Sequence, residues 1–413
     1  MSRLGDLITQ LCPDGVEFQR LDEIGVLYSG LTGKSKADFA AGNARFVSYV
    51  NVFNNLSTDV EPGDRVQVRD GERQNRVQYG DVLFTASSES ADEVGMASGV
   101  TVEPSEPLYL NSFCFGFRPH HVDDLDPEFT KHLFRSAEIR RQIIRTANGV
   151  TRINISKARF RAIKIPVPPL AIQREIAAIL DKMESLKAEL EAELELRSRQ
   201  YAFYRDSLLT FAETEIVRWA TLGDISVRVS SGATPTAGRS EYYEGGTIPW
   251  LRTSEVRFND IVETEMRITE RALRETGAKW IPADCVIVAI SGATAGRSAV
   301  NKIPMTTNQH CCNLEIDPEQ ADYRYVFQWV SHHYEVIKAL GRGARADLSA
   351  GLIKSFEIAL PPIDEQRRIA LLLDRFDALV NDLSIGLPAE IKARQAQYEY
   401  YRDKLLTFEE LAA

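Results

Sequence analysis

The chain repeats itself at a distance of nearly half its length. Pro168–Asp181 reads PPLAIQREIAAILD and Pro361–Asp374 reads PPIDEQRRIALLLD, alike at 8 of 14 positions. Farther on, YAFYRDSLLTF (Tyr201–Phe211) returns as YEYYRDKLLTF (Tyr398–Phe408), alike at 8 of 11. Solenoid repeats recur every ~20–50 residues. A spacing of 193, rising to 197, in a chain of 413 residues is instead a duplicated module. Whatever one half does, the other does at a second place.

The repeated segments read as helical rods. Ile172, Ile176, Ile179, Met183, Leu186 and Leu190 step by fours and threes, and the apolar seam continues through Leu194, Tyr201, Tyr204, Leu208 and Phe211. No Gly or Pro interrupts Ala171–Phe211, which predicts one helix about 60 Å long at ~1.5 Å per residue. The second copy keeps a seam at Ile369, Leu372, Phe376, Leu379 and Leu383, meets Gly386 and Pro388, and resumes at Ile391, Tyr398, Tyr401, Leu405 and Phe408. The four inserted residues amount to about one helical turn and nearly restore the apolar phase. They predict a kink or short loop at Ser384–Pro388 between two helices. Two such rods pack naturally as an antiparallel pair.

Residues 1–165 and 214–358 read differently, with Gly turns and short β-type runs. The runs are Phe46–Val52, Asp81–Thr85, Leu108–Phe117, Ile248–Val256, Cys285–Ile290 and Asn313–Ile316. Each region closes on a helical pattern, Pro127–Thr146 and Tyr323–Leu340. The two regions share a frame: FVSYVNV (46–52) answers WLRTSEV (250–256), and GDVLF (80–84) answers ADCVI (283–287). Their polar residues have diverged while the rods have stayed alike. The expected organisation is two mixed α/β domains, 1–165 and 214–358, each followed by a helical segment, 166–213 and 359–413.

The net charge is −10, which argues against a polyanion as ligand only on average. Residues 131–164 hold Lys131, Arg135, Arg140, Arg141, Arg145, Arg152, Lys157, Arg159, Arg161 and Lys164 against Glu138 alone. A local field of that kind attracts a polyanion even on an acidic molecule; a solvated helix face is the plainer account. No run of 18 apolar residues and no apolar N-terminal stretch is present, so neither membrane insertion nor secretion is expected. The five cysteines lack C-x-x-C spacing, which fits reduced thiols in a cytoplasm.

Catalytic motifs fail one by one. Gly30–Ser35 (GLTGKS) resembles a phosphate loop, but Tyr28 stands where the motif needs its first Gly. Ser291–Arg297 is Gly-rich without G-x-G-x-x-G. No N-P-P-[YF] or D-P-P-[YF] run marks an amino-methyltransferase, and no His, Cys or acid cluster has metal-ligand spacing. What remains is side chains suited to bases and phosphates. In the first domain these are Lys34, Ser35, Lys36, Tyr49, Asn51, Arg140, Arg141, Arg145, Arg152, Asn154 and Lys157. In the second they are Arg239, Arg252, Thr253, Ser254, Arg297, Arg342 and Arg345. Arg152 and Arg345 fall at matching positions in the two halves.

Two divergent domains, each leading through P-P-[LI]-x-x-Q-x-x-I-A-x-[IL]-L-D into a helix ending Y-R-D-x-L-L-T-F, resemble the specificity subunits of type I restriction–modification enzymes. The resemblance covers essentially the whole chain. It implies an α+β fold with two target recognition domains joined by two long antiparallel coiled-coil helices, in a pseudo-two-fold internal repeat. Each domain would read one half of a bipartite, asymmetric double-stranded DNA site. The helices would set the spacer and dock two modification subunits, for which Tyr201, Tyr204, Arg205, Tyr398, Tyr401 and Arg402 are the candidate contacts. Those subunits would bring S-adenosylmethionine and methylate adenine, and restriction or motor subunits would join them. This chain would then hold no cofactor, metal or catalytic residue. The alternatives are a fused restriction or modification enzyme with a cryptic site in one domain, and a coiled-coil scaffold whose two heads bind proteins.

Overall fold

The computed structural model describes residues 2–39, 42–211, 217–341, 347–382 and 384–411. The chain divides into two compact units, residues 1–191 with 390–413, and residues 192–389. Each holds one globular domain and a pair of helical segments, one drawn from each repeat.

The duplication extends to strand order. In the first unit a four-stranded sheet runs Gly25–Ser29, Cys114–Pro119, Val82–Thr85, Ala97–Gly99, all antiparallel. In the second the same order recurs as Ser226–Ser231, Cys311–Ile316, Val286–Ala289, Ser298–Asn301, with Asn259–Ile261 added in parallel at the edge. Each domain also has a three-stranded sheet whose middle strand pairs once antiparallel and once parallel. These are Arg65–Val66, Ala44–Val47, Leu108–Leu110 and Met266–Ile268, Ile248–Leu251, Thr306–Thr307. A third ladder closes each domain: Phe18–Arg20 against Lys164–Pro166, and Arg218–Thr221 against Glu357–Leu360. The chain thus enters and leaves each domain side by side, with the Pro-Pro pair next in line.

Several β-type runs end sooner than expected. Strand geometry in 46–52 stops at Val47, and Tyr49–Asn54 is a helix. In 250–256 it stops at Leu251, before a 3-10 turn at Thr253–Glu255. The helical patterns are each split in two, Pro127–Leu133 with Ala137–Arg145 and Tyr323–His332 with Tyr334–Ala339.

The first rod is a single helix, Leu170–Leu209, of 40 residues, or about 60 Å. The second is broken into Ile363–Asn381 and Leu387–Leu405. The interruption lies just before the expected place, because Pro388 sits in the first turn of the following helix, where its missing N–H costs nothing. Within the first unit the pairing is antiparallel: Ile172, Ile176, Ala177 and Leu180 share a core with Tyr398 and Leu406, while Lys164 reaches Glu410. Within the second, Tyr201 and Leu209 share a core with Ile369, Ala370, Leu373 and Val380.

The repeated Gln and Asp explain why the Pro-Pro segment is duplicated so faithfully. Gln173, fully buried, donates to the carbonyls of Pro168 (2.7 Å) and Asp124 (2.9 Å) and accepts from the Asp126 amide (2.8 Å). Gln366, also buried, donates to the Pro361 carbonyl (2.8 Å) and accepts from the Asp322 amide (2.9 Å). Asp126 and Asp322 in turn cap the N-termini of the helices at Pro127 and Tyr323. One glutamine therefore locks a rod to a domain helix in each unit. The repeated Asp completes the joint with different partners: Asp181 takes Lys131 and His132, and Asp374 takes a fork from Arg324 at 2.8 Å on both arms plus Gln328.

Candidate nucleic-acid interface

In both domains some of the candidate residues lie on two segments at the same places in the fold. One follows the middle strand of the small sheet, and the other follows the central strand of the large one. In the first domain these segments carry Tyr49 and Ser87, joined by a hydrogen bond from the Tyr49 hydroxyl to the Ser87 carbonyl (3.0 Å). In the second, the Thr253–Glu255 turn, with Arg252 before it, approaches the Gly292–Thr294 turn, which Arg297 follows.

The first pair of segments borders a cleft of about 670 Å³ lined by Tyr49, Ser87, Ser88, Glu89, Glu93, Phe113, Thr151 and Arg152. The Arg152 guanidinium lies 5.2 Å from the centre of the Phe113 ring and donates to the Ser87 hydroxyl (3.0 Å). Arg152 belongs to a hairpin, Ala147–Asn148 with Ile153–Ile155, whose second strand also pairs with Ser87–Ser88. Asn154 is exposed on that strand and returns a hydrogen bond to the Arg152 carbonyl (3.1 Å). Sequence reasoning missed Ser87, Glu89, Glu93 and Phe113. Phe113 lies inside the β-type run Leu108–Phe117, but no pattern marked its side chain or the two glutamates.

The structure sorts the ten cations of residues 131–164 into two sets. Lys131 pairs with Glu128 and Asp181, Arg141 with Glu138, and Lys164 with Glu410. Arg135 donates to the carbonyls of Ala97, Val52, Phe53 and Asn55. Arg140 donates to those of Asp92, Val94 and Gly95. Burial brings both guanidinium groups down to about 10, still charged near neutrality but spent on holding loops. Among the described residues Arg145, Arg152, Lys157, Arg159 and Arg161 have no carboxylate partner. Arg152 lies in the hairpin and Lys157 and Arg159 on the short helix Lys157–Phe160 that follows it, while Arg145 ends the helix before the hairpin and Arg161 caps the short helix. Lys157 donates to the Ser29 hydroxyl (3.0 Å), and burial lowers its pKa from the usual lysine value.

Other candidates are committed elsewhere. The Lys34 ammonium is nearly buried and donates to the Gln67 carbonyl (2.6 Å) and to Glu72; that bond, with help from the Arg69 amide and Gln74, holds Glu72 at about 2. Ser35 donates from both its amide and its hydroxyl to Asp38, at 2.7 Å each, and Lys36 next to it is exposed. Asn51 is buried and closes a loop through the Asp59 amide and carbonyl. In the second domain Arg239 pairs with Glu241 and lies over Tyr242, and Arg252 pairs with Glu265. Arg297 has no carboxylate partner among the described residues. Arg342 and Arg345 lie outside the described residues.

The rod aromatics divide by exposure. Tyr201 is buried against Phe376 with Arg205 over its ring, and Tyr398 is buried with its hydroxyl 2.8 Å from His132 Nδ1. Burial raises both phenols, Tyr201 to about 12. Arg402 is mostly buried beside Asp403, and Tyr401 is half-buried. Tyr204 is partly exposed, while Phe203 and Tyr400, at equivalent positions of the repeat, are 66% and 60% exposed. The outward pair is therefore Phe203 and Tyr400, not Tyr201 and Tyr398.

Two like domains, each presenting a divergent loop pair and each pinned to a helical rod, define a duplicated two-headed protein. The family described as type I restriction modification DNA specificity domain matches twice, over residues 13–196 and 217–393, and the chain belongs to that family. It is 39% identical over 258 residues to a type I restriction enzyme specificity subunit of Escherichia coli, a match covering 59% of this chain and 63% of that protein. Among solved structures it resembles the type I restriction-modification S subunit of M. genitalium, with a TM-score of 0.56 and 14% identity over 95% of this chain and 96% of the other. It also resembles a chain from a type I R-M system, with a TM-score of 0.61 and 19% identity over 95% of this chain and 98% of the other. These structural likenesses concern the fold.

Proposed function

We propose that this chain is the DNA-reading subunit of a type I restriction–modification assembly. Residues 1–165 read one half of a bipartite double-stranded site, and residues 214–358 read the other. The helical segments 166–213 and 359–413 hold the half-sites at a set spacing. They receive two modification subunits, which bring S-adenosylmethionine and methylate adenine; restriction or motor subunits complete the assembly in the cytoplasm. The chain itself does no chemistry; its work is binding and positioning. The observation that carries this reading is the recurrence of one loop pair on one scaffold with different side chains. Tyr49 and Ser87 occupy it in the first domain, and Arg252, Thr253 and Arg297 in the second. Because phosphate contacts position and base contacts specify, a shared frame with divergent tips is what two different half-sites require.

Sequencing the methylated bases of a host that expresses this chain with its modification subunit tests the proposal. A two-part motif with a fixed spacer is expected, and exchange of residues 1–165 for another recognition domain should change one part only. A contiguous motif, or both parts changing together, would overturn it. So would methyl transfer by the chain alone.

A further inference from the structure

We infer that the hairpin Ala147–Ile155 is the element of the first domain that enters the major groove, with Val150 at its tip contacting the C5-methyl of a thymine. The inference rests on the DNA-reading function proposed above and assigns the contact within it.

Four observations converge on this hairpin. The strands pair Ala147 with Ile155 and Asn148 with Asn154, and Ile153 pairs with Ser88, leaving residues 149–152 as the loop at the hairpin's end. Gly149 holds φ at +120°, and a Cβ there would stand 2.1 Å from the Arg152 carbonyl oxygen; the turn is built for glycine alone. Val150 is 97% exposed, more than any other large hydrophobic side chain among the described residues. The cations without carboxylate partners gather around it: Arg145 precedes the hairpin, Arg152 lies in its loop, and Arg159 donates to Asn148 at its base (3.1 Å).

A two-stranded ribbon fits the major groove of B-DNA, where thymine alone presents a methyl group. The flanking guanidinium groups then meet phosphates on either side of the groove. Wedges that unstack bases from the minor groove are made with longer or larger side chains. Valine is short and branched at Cβ, so it suits a methyl contact on the groove floor. Asn148 and Asn154, facing each other across the strands, flank the contact with amide groups able to pair with adenine.

The test uses the chain assembled with its modification subunits, on duplexes carrying the recognised site. Each thymine of the half-site read by the first domain is replaced in turn by deoxyuridine, which removes only the methyl. One replacement should weaken binding about fourfold, the value of one buried methyl-sized group. In Val150→Ala that same replacement should cost less than about twofold, while Val150→Ala itself weakens binding to the thymine site by about fifteenfold, for the two methyls it removes. A half-site without thymine, neutral replacements throughout, or an undiminished loss in Val150→Ala overturns the inference. If binding in those cases stays sequence-specific, the DNA-reading function stands. Absence of any sequence-specific binding overturns both.

Discussion

Replacing Arg145, Arg159 and Arg161 together by alanine should weaken DNA binding by a calculable amount. All three are exposed and have no carboxylate partner among the described residues. Each phosphate neutralised by a cation contributes about 0.9 to the slope of log K against log salt. At roughly 0.15 M salt that is worth about 1 kcal/mol per contact. The triple variant should therefore lose about 3 kcal/mol, on the order of 150-fold, and its salt slope should become shallower by about 2.7. Fluorescence anisotropy with the assembled complex, from ~50 to 300 mM salt, reads both quantities. The matched control replaces Arg197, Arg199 and Arg394, which remove the same charge but pair with Glu193, Glu195 and Glu390 along their own helices. An unchanged slope in the first variant, or an equal loss in the control, would refute the assignment of this face, because a net-charge effect would then suffice.

Asp81→Asn should cost the first domain about 3–5 kcal/mol, since it breaks a buried pair. The Asp81 side chain is fully buried and takes Arg118 at 2.7 and 2.8 Å, the Tyr28 hydroxyl at 2.7 Å and the Gln78 amide at 2.8 Å. Its sequence counterpart Asp284 pairs with Lys302 at the surface and sits at φ 62°, a conformation asparagine tolerates. Asp284→Asn should therefore fall within about 1 kcal/mol of the parent by calorimetry. Gln173→Ala and Gln366→Ala should each destabilise their own unit by roughly 1–3 kcal/mol, the penalty of leaving a buried amide and carbonyl unpaired; equal melting curves for both variants and the parent would contradict the locking role. Burial holds His132 below the ordinary histidine value, with Asp181 opposing. The unfolded chain thus binds the proton first, and this contribution to stability falls as pH drops below about 6.5. His132→Gln, which does not titrate, should flatten the difference in melting temperature between pH 7 and pH 5 relative to the parent. Burial opposes ionisation of Asp181, but its bonds from His132 and Lys131 hold it below the usual carboxylate range, so its share is lost only at still lower pH.

Much of the fold is legible in the sequence because its signals are local. An uninterrupted heptad pattern yields one helix at Leu170–Leu209, and Gly386 with Pro388 marks the break in the second rod, whose first helix ends at Asn381 and whose second starts at Leu387. Misreadings occur where tertiary packing overrides local preference. Tyr49–Asn54 has the alternating, β-branched look of a strand, yet it is helical, with Val52 and Asn51 buried and Val50 exposed. In the rod Ile363–Asn381, Leu373 rather than Leu372 is fully buried, because that face meets the domain helix through Arg324 and Gln328. A heptad seam describes one neighbour, and this helix has two.

The candidate site was legible as a neighbourhood and not as a set of atoms. The sequence marked residues 131–164 as basic, but Arg140 and Arg145, five positions apart, have opposite fates: one is consumed by three carbonyl oxygens and the other stands free of carboxylates among the described residues. Lys34 meets Glu72 across 38 positions, a pairing that no spacing rule contains.

The sequence by itself determined the duplication, the helical rods, and which segments diverged, since each is written in composition and period along the chain. Only the tertiary structure decided that each compact unit takes helical segments from both repeats, that the faithful Gln and Asp fasten rods to domains, and which cations remain available to a polyanion. The physical reason is that periodicity is carried by residues a few positions apart. The state of a charge is set by whatever the fold brings within about 3 Å of it.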